Sequence, residues 1–444
     1  MAVTDKSFFE ALAAELCTPV PGADRITIYL RAEASDFIRF NRAAVRQATH
    51  VQQGYATLAG VHGTRRIEAT VTLTGQIDED LSALRAERAT LLSQLPDVPE
   101  DPYLLLPHEV SSSHRHETGT LPSPEALVLA VTSAAKGLDF VGFYAGGPVV
   151  RAFADSRGQR HWHRVESFHI DWCLYQQADK AVKTAYAGTH WDPAQFAQRV
   201  ATAAQRLPLL AQAPRALTPG AYRAYFTPIA MAELLGTLGW GGFGAQARRT
   251  GTSSLSRLEL HDAQMHAMVQ MSEDTARSIA PAFTAEGFAK PPAVSLVEAG
   301  RSTGTLNSPR SGRQYGLPAN GANAQEAPEA LRLAPGTLHE ADVLSALDTG
   351  LYISNLWYLN YSDRQACRMT GMTRFACFWV EGGKLVAPLP VMRFDDSFLR
   401  MFGEGLVALT DRAELIPESG TYKERQLSSL TTPGALVEGW RLTL

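Results

Sequence analysis

The alternation of apolar and polar residues predicts that strands dominate the first half of the chain. Period-two alternation predicts four long strands, at residues 50–60, 66–75, 140–155 and 162–175. Between the second and third of these, Leu81, Leu84, Leu91 and Leu95 keep helical spacing, so a helix is expected to cover the first strands. Residues 96–124 hold six prolines and a polar run, which predicts a long exposed connection.

Several helices have start signals that can be read directly. A capping residue followed by proline occurs at Ser123-Pro124, Asp192-Pro193 and Thr227-Pro228. Proline suits the first helical position because the missing N–H would have no partner there. Near the N-terminus, Ser7 and Glu10 have the spacing of a capping box, which predicts that the first helix begins at Ser7.

The second half of the chain is also predicted to be rich in strands, mainly over residues 350–393 and 435–444. Residues 207–219 contain three prolines and no regular pattern, so we place a domain boundary near residue 215. The two predicted domains are 1–215, a mixed sheet with covering helices, and 216–444, a strand-rich domain. Because strands cluster in meanders that helices cover, the expected fold class is α+β.

Composition narrows the function classes. The chain has 444 residues, of which 45% are hydrophobic, and 41 basic residues stand against 45 acidic ones for a net charge of −4. This balance gives no excess of positive charge for binding the phosphates of a nucleic acid. No apolar run is long enough to span a membrane. The first residues lack the features of a signal peptide and the four cysteines are scattered, so a cytoplasmic location is expected.

One short segment has the residue types of a zinc site. His261 and His266 would offer two imidazoles on a helix, with Asp262 beside the first as a general base. The aspartate is one methylene shorter than the usual glutamate, however, and a third ligand must come from elsewhere. Solvated or hydrogen-bonded histidines are therefore the alternative interpretation of this segment.

A set of motifs in the second half resembles a known family. The motifs are GLYI at 350–353, NYS at 360–362, TGMTR at 370–374 and FWVEGGK at 378–384, with AELLG at 232–236 upstream. Their order and spacing resemble those of the TldD/PmbA (TldE) family. The two-domain plan of that family agrees with the expected fold.

The resemblance carries implications for metal binding. TldD-like subunits of that family are zinc peptidases with a HExxxH helix and a later cysteine ligand, whereas TldE/PmbA-like subunits lack these ligands and pair with them. Here Ala232 and Thr237 stand at the two histidine positions, and only Glu233 is retained. Alanine and threonine are not zinc ligands. The resemblance thus implies no catalytic residue, metal or cofactor in this chain, zinc in a TldD-like partner, and unfolded peptides as substrates.

Candidate peptide contacts follow from the same resemblance. In the polar stretch 301–323, four side chains offer donors for a peptide backbone or its carboxylate: Thr303, Asn307, Arg310 and Arg313. A solvated surface loop is the alternative. Asn360 and Arg374 occupy positions of the family motifs, where either substrate contact or turn stabilisation is expected.

Three hypotheses stay open from the sequence. The first is a non-catalytic TldE-like subunit of a heterodimeric zinc peptidase that processes peptides, such as natural-product precursors or antitoxins. The second is an autonomous metallohydrolase that uses His261, Asp262 and His266. The third is a peptide-binding scaffold without a peptidase partner.

Overall fold

The structure, a computed structural model, describes residues 2–260 and 262–443 and has the expected α+β class with two sheets. The helices of the described residues are α1 Lys6–Leu16, α2 Ile77–Gln94, α3 Pro124–Ala134, α4 Pro193–Ala204, α5 Leu207–Leu210, α6 Pro228–Leu238, α7 Ala245–Arg249, α8 Ser256–Glu259, α9 Pro309–Tyr315, α10 Val343–Leu347 and α11 Phe398–Met401.

The strands of the same residues fall into two groups along the chain. Those of the first group are β1 Arg25–Asn41, β2 Ala44–His62, β3 Arg65–Leu73, β4 Ser112–Glu117, β5 Asp139–Asp155, β6 Arg160–Gln177 and β7 Lys180–Gly188. Those of the second group are β8 Gly220–Phe226, β9 Met271–Glu273, β10 Val294–Glu298, β11 Arg301–Ser302, β12 Ala330–Leu333, β13 Gly350–Ile353, β14 Asn355–Asp363, β15 Arg368–Arg374, β16 Phe378–Glu381, β17 Lys384–Pro388, β18 Arg393–Ser397, β19 Leu406–Pro417 and β20 Ser429–Leu442.

The first sheet is mixed, as the sequence predicts. Its strand order is β3-β2-β1-β5-β6-β4, with β7 also paired to β6. All pairs are antiparallel except β4 with β6. Strand β4 lies within the predicted exposed connection, and that prediction is wrong for residues 112–117. The strand escapes detection because it is polar on both faces and carries no apolar alternation.

The second sheet forms around β20. Along one path its order is β11-β10-β9-β12-β20-β8-β13-β16-β17, and a branch runs from β20 through β18 and β15 to β14. Strand β8 lies between β20, which is antiparallel to it, and β13, which is parallel to it. The helix α6 follows β8 directly and packs on β20 and β14.

The start signals of the helices are mostly confirmed. The side chains of Ser123, Asp192 and Thr227 accept hydrogen bonds from the first turns of α3, α4 and α6. The predicted start of α1 is wrong, because the helix begins at Lys6 with Asp5 as the preceding cap. Ser7 lies inside the first turn and makes no capping bond there.

The two sheets share hydrophobic contacts. One buried cluster brings Phe140 and Trp172 of the first sheet together with Tyr352 and Phe378 of the second. Between β19 and β20 the chain also inserts Arg425, which donates to the carbonyl oxygens of Gly147 and Ser167. The boundary near residue 215 falls between the last strand of one sheet and the first of the other, and it stays a prediction.

In residues 2–260 and 262–443 no helix is both long and apolar enough to cross a membrane.

Candidate functional site

The helix α6 carries residues 232–237, the segment that the family resemblance compares with a zinc-binding helix. The hydroxyl of Thr227 caps the helix by accepting from the backbone N–H of Ala230 at 3.3 Å, and it donates to Ser354 O at 2.7 Å. Most of the helix is apolar and buried, including Met231, Leu234 and Leu235. Glu233 is the charged residue of α6, and it is exposed.

A concave cavity of about 470 Å³ opens beside α6. We call it the α6 pocket. Its walls come from α6, the loop after it, the segment before β12, the end of β19 and the start of β20. They include Ala232, Glu233, Leu235, Gly236, Thr237, Trp240, Pro328, Leu331, Ile416, Pro417, Glu418, Ser429 and Leu430. The pocket therefore combines an apolar lining with two carboxylates.

The side chains at the family's histidine positions do not fit zinc. Ala232 contributes only a methyl group. The hydroxyl of Thr237 donates to the backbone oxygen of Glu233 at 2.9 Å, inside the helix. Zinc in proteins is held by cysteine, histidine and carboxylate side chains. Residues 2–260 and 262–443 contain no group of three such side chains arranged for a metal ion.

The carboxylate of Glu233 lies in an environment that alters its ionisation. Burial by the surrounding protein raises the pKa of Glu233, Lys183 acts in the opposite direction, and the charge of Glu418 adds to the rise. The ammonium group of Lys183 lies 5.7 Å from the ring centroid of Phe375. The first sheet thus contributes a cation whose charge acts on a carboxylate of the pocket.

Two of the candidate peptide contacts, Thr303 and Asn307, bond within the fold. The hydroxyls of Thr303 and Ser295 lie 2.7 Å apart. Asn307 is buried, donates to Pro318 O at 2.9 Å and accepts from the Thr305 hydroxyl at 2.5 Å. Its amide therefore holds the turn around itself.

The arginines of the same segment lie on α9, a helix that the sequence does not predict. Arg310 pairs with Asp101 of the connection before β4 at 2.6 Å, and its guanidinium lies 5.2 Å from the ring centroid of Tyr103. Arg313 is exposed on the same helix. Peptide contact by either arginine stays a prediction.

Asn360 and Arg374 lie on the neighbouring strands β14 and β15. Asn360 is exposed, and its side-chain oxygen accepts from the backbone N–H of Tyr361 at 2.8 Å. The guanidinium of Arg374 lies 4.9 Å from the ring centroid of Trp357. Both side chains have local partners, and their contact with substrate also stays a prediction.

The helix that the alternative histidine site requires is not formed over residues 262–266. The helix α8 ends at Glu259, and residues 262–266 are not helical. The hypothesis places His266 on a helix with His261, and that helix is wrong for residues 262–266. The ring nitrogen Nδ1 of His266 accepts from the backbone N–H of Met268 at 3.2 Å. His261 lies outside the described residues.

Sequence reasoning misses most of the α6 pocket. Trp240, Glu418 and Ser429 come from separate stretches of the chain and carry no local motif of binding residues. Only Glu233 has a sequence signal, through the family motif at 232–236. The paired ends of the consecutive strands β19 and β20 line the pocket beside α6, although they lie far from α6 along the chain.

Fold and pocket together define an α+β chain with a concave site beside α6, where Ala232 and Thr237 offer no zinc ligand. Residues 219–443 match the family model of the PmbA/TldA metallopeptidase C-terminal domain. The chain belongs to this family. No curated protein sequence matches the chain.

Solved structures extend the similarity of fold over nearly the whole chain. TldE from Thermococcus kodakarensis superposes with a TM-score of 0.78 at 14% identity, covering 95% of this chain and 97% of its own. A proposed modulator of DNA gyrase from Thermotoga maritima gives 0.76 at 12% identity, covering 99% and 100%. A second such protein, from Bacteroides thetaiotaomicron, gives 0.74 at 13% identity, covering 99% and 98%.

Proposed function

We propose that this chain is a non-catalytic, TldE-like subunit that completes a zinc peptidase together with a TldD-like partner. The observation that carries the proposal is which residues α6 has at positions 232, 233 and 237. The helix packs on the second sheet and carries Glu233, while Ala232 and Thr237 stand where the family resemblance implies the histidine ligands of the catalytic type. The fold similarity to a TldE from another organism supports the same assignment.

The substrates in this proposal are unfolded peptides. An extended peptide can add to an exposed sheet edge through main-chain hydrogen bonds, which read little sequence. Strand β14 pairs with β15 on one side, and Trp357 and Tyr358 are exposed on it. We propose that the complex acts in the cytoplasm, which is supported by the four cysteines, all within the described residues and all free thiols.

The test is reconstitution with a TldD-like subunit from the same organism. Each chain is purified alone and mixed, and three quantities are measured: complex mass, zinc per chain by elemental analysis, and cleavage of an unstructured peptide. We expect a complex in which cleavage exceeds that of either chain alone and in which zinc follows the partner. Replacing the glutamate of the partner's zinc helix by glutamine is the control, and it should abolish cleavage.

Two outcomes would overturn the proposal. About one zinc per chain in this protein alone, together with cleavage, would establish an autonomous metallohydrolase instead. Tight peptide binding with neither assembly nor cleavage would establish a scaffold.

A further inference from the structure

We propose that the α6 pocket binds the side chain of an arginine or lysine residue in a peptide, with Glu233 as its counter-ion. The inference rests on the proposed function only in taking peptides as the ligand class. The pocket itself belongs to this chain, so its binding can be measured without any partner.

The shape and lining of the pocket suit a long side chain with a charged end. A cavity of about 470 Å³ has room for an arginine or lysine side chain and part of its backbone. Pro328, Ile416 and Leu430 are partly exposed and offer apolar surface for the methylene stem. Long basic side chains bury their stems against apolar surface while the charged head keeps polar contacts, and this pocket provides both.

The charge of the pocket walls has the sign that a cation needs. Glu233 and Glu418 both line the cavity, and Lys183 is the cation whose charge acts on Glu233 from the first sheet. One carboxylate is thus left in excess over the nearby ammonium group. Glu233 lies exposed along the pocket wall, and the protein around it reduces the solvent screening of its charge, which strengthens attraction to a bound cation.

Two further residues of the pocket lining, Ser429 and Trp240, suit a basic ligand in different ways. Ser429 is only 8% exposed, and its hydroxyl has no hydrogen-bond partner among residues 2–260 and 262–443. A buried hydroxyl without a partner is uncommon in proteins. Ser429 lines the cavity, and a rotation of its side chain would bring the hydroxyl to a bound ligand. Trp240 is 53% exposed at the rim. The indole face is the aromatic surface that cations prefer, so Trp240 suits an approaching guanidinium or ammonium group.

The experiment measures peptide binding to the purified chain by fluorescence anisotropy. The probe is a labelled, N-acetylated and C-amidated pentapeptide of glycine and serine with one arginine in the centre. Its comparator carries citrulline, which keeps the shape and removes the charge. We expect the arginine peptide to bind at least about tenfold more tightly, since hydrogen bonds to charged groups are the stronger ones. Lysine in the same position should also bind more tightly than citrulline.

Substitutions locate the effect in the pocket. Glu233→Gln should reduce the preference for arginine over citrulline to about twofold or less, and Glu418→Gln should reduce it partly. Glu298→Gln, at an exposed position on β10, is the matched control and should leave the preference intact. Circular dichroism and the urea midpoint show that each variant is folded.

Equal binding of the arginine and citrulline peptides, no detectable binding of either, or an unchanged preference in Glu233→Gln would each overturn the inference. The outcome is separable from that of the proposed function. Assembly with a TldD-like chain is measured by complex mass, and it can succeed while charge selection fails, or the reverse.

Discussion

Two polar regions of the second half differ in what their polar groups bind. In the segment 301–323 and its surroundings, the buried side chains bind the chain's own backbone: Asn307 holds Pro318, and the carboxylate of Glu326 accepts from the N–H groups of Ser308 and Gln246. In the α6 pocket, Glu233 faces the cavity and the Ser429 hydroxyl has no partner within the described residues.

The comparison shows that residue type alone does not identify a binding site. A polar side chain is available to a ligand only when the fold has not already satisfied it, and most buried polar groups are satisfied. Asparagine and arginine in a Gly-containing stretch suggest a peptide site, yet the buried asparagine there is saturated by its own loop. The pocket, with fewer conspicuous residues, keeps polar groups that a ligand can still engage.

The largest expected effect tests how strongly the first region depends on its internal hydrogen bonds. Glu326→Ala removes a buried carboxylate that accepts two backbone N–H groups, at 2.8 Å from Ser308 and 2.7 Å from Gln246. Each such charge-assisted bond contributes about 1.5–3 kcal/mol, so the free energy of unfolding should fall by about 4 kcal/mol. Urea denaturation followed by circular dichroism measures the change.

The matched control is Glu298→Ala, an exposed glutamate on β10 of the same sheet. It should change the free energy of unfolding by less than about 0.5 kcal/mol, as surface substitutions usually do. If both variants unfold at the same urea concentration as the parent protein, the segment is not held as described and the comparison fails.

A second prediction concerns pH and Glu273, which lies beside the end of the same segment. One carboxylate oxygen accepts from the N–H groups of Glu329 and Ala330, while burial raises the pKa of Glu273 to about 7 against the opposing effects of these bonds and Lys290. A raised carboxyl pKa means that the folded state favours the neutral form. The contribution of this group to stability is therefore greatest below pH 4.5 and falls as the pH rises towards 7.

Glu273→Gln removes this titration. The free energy of unfolding of the parent, minus that of the variant, should fall by about 3 kcal/mol between about pH 4.5 and about pH 8. Urea unfolding of both proteins over that range measures the difference. A difference that is flat with pH, or that rises, would show that Glu273 stays ionised throughout.

The third prediction compares two asparagines that the sequence treats alike as candidate contacts. Asn307→Ala removes a buried amide and leaves Pro318 O and the Thr305 hydroxyl without their partner, which should cost about 2 kcal/mol. Asn360→Ala removes an exposed side chain that bonds only to the next residue, so its cost should stay below about 0.5 kcal/mol. Equal urea midpoints for the two variants would contradict this ranking.

Much of the fold is predictable because local patterns determine it. The long hairpin β5–β6 follows from alternation, and three helix starts follow from a cap and a proline. Strand β4 is not predictable, since its pairing with β6 comes from a distant segment and its faces are polar. The helix α9 has its cap and proline at Ser308-Pro309, but the glycines and polar residues around it resemble a loop.

The site is less predictable than the fold. Family motifs point to α6 and to the loss of the zinc ligands, because those motifs are contiguous. The charges that act on Glu233 are not contiguous with it: Lys183 comes from β7, and Glu418 directly follows β19. The cavity is formed by separate segments of the second half, and the first sheet adds the charge of Lys183, which acts on Glu233. The helix predicted to carry His266 is absent over residues 262–266. The spacing of two histidines does not by itself determine a helix.

The smallest expected effect is on stability and comes from a substitution in the α6 pocket. Glu233→Gln changes an exposed position of α6 and keeps the shape of the side chain. It removes a carboxylate whose pKa is already raised by the surrounding protein. The free energy of unfolding at pH 7 should change by less than about 0.5 kcal/mol, with a slight gain more consistent than a loss, because the penalty of holding the charge disappears. Urea unfolding beside Glu326→Ala measures it. A loss of about 2 kcal/mol or more would mean that the fold depends on Glu233 in the way it depends on Glu326, and the pocket would then have no free carboxylate to offer a ligand.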